Sequence, residues 1–189
     1  MDLKIRRFKD ADLQSLYELL SDEEVMHYIE PPFTFEQTRA FLENAGLTDD
    51  PLIYAVEDED GIFIGYVIYH DYEEDSKEIG WIFNKRFWGK GFAEALTDRL
   101  IQKANADGKS VVIECSPEQR ATKRIAEKLG FMYMGLIDGC DVYKLAYPDK
   151  RSSHEEHTVP AHGQHDHTKD GVIWQEKEPY QRGGKHDDE

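Results

Sequence analysis

The chain has 189 residues, enough for one domain with its own core and an appendage. It carries 23 Lys and Arg against 39 Asp and Glu, and a formal charge of −16 disfavours a general nucleic-acid binder. No apolar run reaches the ~18 residues of a membrane span, MDLKIRRFKD lacks a signal-peptide core, and two cysteines make no disulfide framework. A cytoplasmic protein without membrane or nucleic-acid partners is expected.

The chain opens with an alternating stretch, 2-DLKIRRF-8, that predicts a strand. A helix is expected from Asp10, with Leu13, Leu16, Tyr17 and Leu20 on one side. Ser21 with Glu24 reads as a capping box for a short second helix through Ile29, ended by Pro31 and Pro32. Thr34 with Gln37 opens a third, with Phe41, Leu42 and Ala45 inward and Gly46 at its end. Strands follow at 52–58 and 62–72, joined through Asp60-Gly61, and at 77–84, giving an antiparallel meander.

Residues 91–106 place Phe92, Ala95, Leu96, Arg99 and Leu100 at helical spacing, and 110-SVVIEC-115 reads as a buried strand. Strand, helix, strand implies that 77–84 and 110–115 pair in parallel. Ser116-Pro117-Glu118-Gln119 starts a helix to Leu129, closed by Gly130, and two strands near 131–137 and 141–147 turn at Asp138-Gly139. The composition then changes. Residues 1–147 form the predicted domain, and 148–189 are a polar, His-rich extension whose apolar run is Val172, Ile173 and Trp174. Those three residues are expected to pin it.

Between a strand and a helix lies Trp88-Gly89-Lys90-Gly91-Phe92-Ala93. Glycines permit positive φ and close ligand approach, and a helix start favours an anion. The segment has no Walker spacing, and Glu94 takes the place of the third glycine of GxGxxG. On its own it suits an anion seat and a plain turn equally.

The loop at 88–93, the later stretch 119-QRATKRIAEKLGFMYMG-135 with its ending Glu127–Phe131, and the element order resemble the GNAT superfamily of N-acetyltransferases. The similarity covers about residues 2–147, nearest to the ribosomal-protein and spermidine N-acetyltransferase branch. Trp88 departs from the usual first residue of the family loop. The resemblance implies an α/β (α+β) fold with a mixed, mostly antiparallel sheet, splayed at a parallel strand pair and flanked by helices. It implies acetyl-CoA as co-substrate, its pyrophosphate on Trp88, Gly89, Lys90, Gly91, Phe92 and Ala93. The pantetheine would then run along Ile82, Phe83 and Asn84. Gln119, Thr122 and Lys123 are further expected contacts, with Lys85, Arg86 and Arg124 as other cations for the phosphates.

The implied reaction is attack of a neutral amine on the thioester, so a base must take the amine's proton. Glu78, on the strand before the loop, is the first candidate; a hairpin-edge charge is its plain alternative. Glu114 is the second, facing away from Val111, Ile113 and Cys115. Many relatives carry a tyrosine where this chain has Ala126, so the acid is left to Thr122, to Tyr133 or Tyr143, or to water. Cys115, without a nearby histidine in sequence, reads as apolar packing. His27 and His70 read as structural or surface residues, although the resemblance sets His27 near the acceptor wall.

Acidic runs at 57–60 and 71–75 are either solvated hairpin tips or a field that draws a cationic amine. The acceptor is thus expected to be a small cationic amine or a protein N-terminus. Residues 154–167 hold five histidines at spacings unlike a structural zinc site, so no metal ligands are assigned. The rival reading is a non-catalytic CoA-binding or metal-sensing module. A monomer or homodimer is expected, given a sheet edge near the C-terminus.

Overall fold

The computed structural model describes residues 3–148. The His-rich residues 154–167 and Val172, Ile173 and Trp174, singled out by sequence, lie outside the described residues. Seven strands form one sheet in the order β1-β2-β3-β4-β5-β7-β6. They are β1 Lys4–Arg6, β2 Ile53–Glu57, β3 Phe63–Glu73, β4 Ser76–Phe83, β5 Ser110–Cys115, β6 Met132–Ile137 and β7 Cys140–Leu145. All neighbours run antiparallel except β4 and β5, as the strand-helix-strand order predicts.

Helices cover both faces. On one lie α1 (Leu13–Leu20), α2 (Glu23–Met26) and α3 (Phe35–Phe41), the last continued by a wide turn, Leu42–Gly46. Leu16, Leu19, Leu20 and Leu42 pack there on Ile53, Ala55 and Tyr66. On the other face lie α4 (Phe92–Ala106) and α5 (Arg120–Lys128). Leu96, Leu100 and Ala104 meet Val67, Ile79, Val111 and Ile113 in a second core. Two covered faces on one sheet account for the long apolar strands.

The predicted caps hold in part. Thr34 and Gln37 form the expected reciprocal box. At α2, however, Asp22 is the cap, its carboxylate accepting from the Glu24 and Val25 amides at 3.0 and 3.4 Å. Ser21 still has helical dihedrals as the C-cap of α1, whereas Asp22 takes the extended ones a cap needs. In the later segment Ser116–Gln119 forms a turn, and α5 starts only at Arg120 because Gln119 breaks the helical dihedrals. On α4 the buried stripe is Phe92, Leu96, Thr97, Leu100, Ile101 and Ala104; Ala95 is exposed, and Arg99 reaches the Leu3 carbonyl.

An ion cluster locks the first strand. The Arg6 guanidinium donates to both Asp12 oxygens at 2.7 and 2.8 Å and to Glu57 at 2.6 Å, with all three side chains largely shielded. Burial pushes the Asp12 carboxyl up, but the Arg6 fork and the Lys9 amide outweigh it and hold it below its ordinary 3.8. Asp12→Asn should therefore cost about 2 kcal/mol at neutral pH. That is less than the ~3–5 kcal/mol for breaking a buried pair outright, because Glu57 still faces Arg6. A depressed carboxyl stabilises above its unfolded value, and that contribution is lost as pH falls through the folded one. Denaturant curves of wild type and variant should thus differ fully above pH ~4–5 and converge as pH drops below 3.8.

Candidate active site

The parallel ladder between β4 and β5 has three rungs, Ser76↔Ser110, Lys77↔Val111 and Glu78↔Val112. β4 then runs on to Phe83 and β5 to Cys115, so the strands part at Glu78. The far end of this opening is the loop that the sequence singled out. Asn84 turns the chain: its side chain accepts from the Arg86 amide, its carbonyl from the Phe87 amide, and its own amide donates to Ile64. The Trp88 indole donates to the Phe83 carbonyl at 2.8 Å. Asn84 and the Phe83 carbonyl thus serve the turn itself, and Trp81 and Ile82 lie on β4 just before it.

Gly89 and Gly91 have φ of 70° and 81°, a region that side-chain-bearing residues rarely adopt. A Cβ at either would meet nothing within 4 Å. The glycines are therefore required by backbone conformation, and the space above them is open. Gly91 is the N-cap of the 15-residue α4, and no described side chain caps it. The first-turn N–H groups and the helix dipole face outward beside Arg86 and Lys90, which both lie over the Phe87 ring at 4.8 and 5.2 Å. Such a helix start favours an anion.

Two of the other expected cations, Lys85 and Lys123, are engaged. Lys85 binds Glu24 at 2.6 Å and Asp22 at 3.2 Å, tying the loop to α2. Lys123 pairs with buried Asp141, which also accepts from the Tyr133 hydroxyl at 2.9 Å. Lys123 and Tyr133 together hold the Asp141 carboxyl below its ordinary range. Thr122 sits half-buried in the first turn of α5, next to Gln119, whose side-chain oxygen accepts from the Ser116 amide.

Glu78 and Glu114 share the sheet face that carries α1–α3, since Glu78 pairs with Val112 and Glu114 lies two residues further on. Glu114 accepts from the Tyr72 hydroxyl at 2.5 Å. Glu78 lies 3.4 Å from Nε2 of His70, its cross-strand partner on β3, while Nδ1 of that ring donates to the Asp71 carbonyl at 2.9 Å. Sequence reasoning left His70 and Tyr72 outside the site. Even counting back from the Glu73↔Ser76 pair puts Asp71 opposite Glu78; a bulge between Asp71 and Glu73 shifts the register by one and brings His70 there instead.

Above the diverging ends lies a cleft of about 650 Å³, lined by α2, the segment after it, and the turn after β5. Glu23, Glu30 and Glu118 bring carboxylates, Tyr28 and His27 rings, and Ser116 a hydroxyl. The two acidic runs do not line it. Arg6 holds Glu57, Lys77 holds Asp71 and Lys144 holds Glu73, so the cleft's acidity comes from residues that the sequence did not point to.

Two further groups are accounted for. Ala126 is fully buried in the core beneath α4 and α5. Burial pushes the Cys115 thiol up to about 11, so it is no nucleophile at neutral pH.

The model of the GNAT acetyltransferase domain matches residues 2–132. An uncharacterized N-acetyltransferase, YnaD, of Bacillus subtilis strain 168 is 32% identical over 143 residues, 73% of this chain and 84% of that protein. Among solved structures, a GNAT-family acetyltransferase from Bacillus anthracis superposes with a TM-score of 0.66 at 29% identity, covering 76% of this chain and 93% of that one. The spermidine N-acetyltransferase of Vibrio cholerae, solved with CoA and spermine, gives 0.64 at 22% identity over 75% and 92%. A parallel pair that parts at a carboxylate, a glycine loop feeding an uncapped helix, and these matches together show that the chain belongs to the GNAT family and is an acyl-CoA-dependent N-acetyltransferase.

Proposed function

We propose that the protein moves an acetyl group from acetyl-CoA to the primary amine of a cationic acceptor, by direct attack with Glu78 as base. The observation that carries this is the place of Glu78 at the last rung before the strands part, on the sheet face that carries α1–α3. Acetyl-CoA would set its pyrophosphate on the Gly89–Ala93 loop and its pantetheine along Trp81–Ile82. The amine nitrogen gives up its proton toward Glu78 and attacks the thioester carbonyl. The C–N bond forms, the C–S bond breaks, and the second proton that the nitrogen loses on becoming an amide passes to the leaving thiolate, relayed by the Thr122 hydroxyl or by water. Backbone N–H groups freed by the splay would stabilise the oxyanion.

Glu23, Glu30 and Glu118 around the cleft favour a positively charged acceptor: a polyamine, an aminoglycoside or a protein N-terminus. The Vibrio cholerae fold neighbour, held with CoA and spermine, supports the polyamine class and the spermidine-type branch.

The test is release of CoA thiol from acetyl-CoA across a panel of polyamines, aminoglycosides, N-terminal peptides and neutral amines. Cationic members should turn over, with rates falling as ionic strength rises. Turnover of none, or equal turnover of uncharged amines, would remove the acceptor assignment.

A further inference from the structure

Gly80, inside β4, is a glycine that its own backbone does not require. It lies outside the left-handed region that Gly89 and Gly91 occupy. Its pairing with Ile68 on β3 is regular, because the shift in that ladder lies between Asp71 and Glu73. A glycine inside a strand costs stability and marks a bulge, a bend, or the close approach of a ligand or another backbone. The register shows no bulge at Gly80. Among the described residues no strand pairs with it on the β5 side either, since that ladder ends at Glu78. A Cβ at Gly80 would meet Ile68 first, standing 3.0 Å from Cδ1 and 3.6 Å from Cβ and Cγ1. The end of the Ile68 side chain comes nearer than its root, so it leans over the bare backbone. Both residues lie on the sheet face of Glu78, which is two positions before Gly80.

We propose that the Gly80 backbone and the end of the Ile68 side chain bound the pocket for the acyl group, and that Ile68 holds the donor to a short acyl chain. On the reading proposed for the reaction, the thioester lies in the opening past Glu78, and the pocket rests on that reading. A carbonyl carbon within reach of an amine on the face of Glu78 carries its own substituent over Gly80. The room gained by omitting a Cβ is about that of a methyl group, which suits acetyl. Each further methylene runs into Ile68 Cδ1. Ile68 sets specificity and takes no part in making or breaking bonds. It packs on the α1–α3 core, and its apolar end offers nothing to a cationic acceptor.

Calorimetry of the full chain with CoA, acetyl-, propionyl- and butyryl-CoA, in parallel with thiol release, tests this. Wild type should lose about tenfold or more in kcat/KM for each added methylene, with affinity following the same order. Ile68→Ala should bring butyryl-CoA to within a few-fold of acetyl-CoA. Ile68→Val, a milder change that keeps more of the packing, should relax the discrimination against propionyl-CoA. Gly80→Ala should act in the opposite sense, weakening acetyl-CoA while CoA binds as before, and Ile68→Ala added to it should restore acetyl-CoA. A wild type indifferent to chain length overturns the proposal without any variant. So does a folded Ile68→Ala or Ile68→Val protein that keeps the wild-type preference, or that changes the KM for the amine instead. Chain-length selectivity in binding without thiol release to any amine would instead remove the base and acceptor assignment and leave the acyl pocket standing.

Discussion

Glu78→Gln should lower kcat by about a hundredfold to ten-thousandfold while acetyl-CoA binds as before. Gln matches Glu in volume and can keep a hydrogen bond to His70, so a half-shielded position on a central strand should tolerate it. What is lost is the ability to accept a proton. At neutral pH the acceptor arrives as an ammonium with no lone pair, and without a base only its small neutral fraction can attack. The variant's rate should therefore keep rising with pH as more amine is deprotonated in bulk. The wild type, with its base in place, should level off earlier. Steady-state thiol release over a pH series, with acetyl-CoA binding measured by calorimetry, separates the two. A variant within a few-fold of wild type at all pH values would mean that water or Glu114 takes the proton.

His70 sharpens this expectation. Its Nδ1–H is committed to the Asp71 carbonyl, so Nε2 is the atom that faces Glu78. A proton taken by Glu78 has an imidazole beside it rather than bulk water alone.

Local chemistry was legible in the sequence. Thr34 with Gln37, the hairpin at Asp60-Gly61 and the turn at Asp138-Gly139 each depend on a few adjacent residues, and each lies where it was expected. The parallel pairing of β4 and β5 followed from one strand-helix-strand run. Misreadings arose where two local signals compete. Ser21 and Asp22 are both good caps, and which one acts depends on how far α1 persists. The remaining gaps are lateral. His70 beside Glu78, Tyr72 on Glu114 and Lys123 on Asp141 join residues on different strands and helices, which one-dimensional patterning does not bring together. Net charge is likewise a sum. It says that the chain is acidic, not that the cleft owes its carboxylates to Glu23, Glu30 and Glu118 while the conspicuous runs lie elsewhere, several of their carboxylates held by Arg6, Lys77 and Lys144.

The donor side has its own decisive variant. Gly91→Val should raise the KM for acetyl-CoA by about tenfold to a hundredfold, with kcat at saturation changed far less. The reason is conformational, not steric, since a Cβ at Gly91 would meet open space. At φ 81° a β-branched residue is strained by about 1–3 kcal/mol, and the chain relieves that by rotating the first turn of α4. The N–H groups that would hold the pyrophosphate then no longer converge. Gly91→Asn is the matched control, because asparagine tolerates the left-handed region and should stay near wild type. Lys90→Ala should cost less than Gly91→Val, since it removes one exposed charge and leaves the backbone seat intact. Acetyl-pantetheine, which has the thioester but no pyrophosphate, isolates the contact: wild type and Gly91→Val should use it with the same KM. A difference that persists with acetyl-pantetheine would place the damage in the strand opening. No difference with acetyl-CoA would mean that the pyrophosphate does not sit at the start of α4.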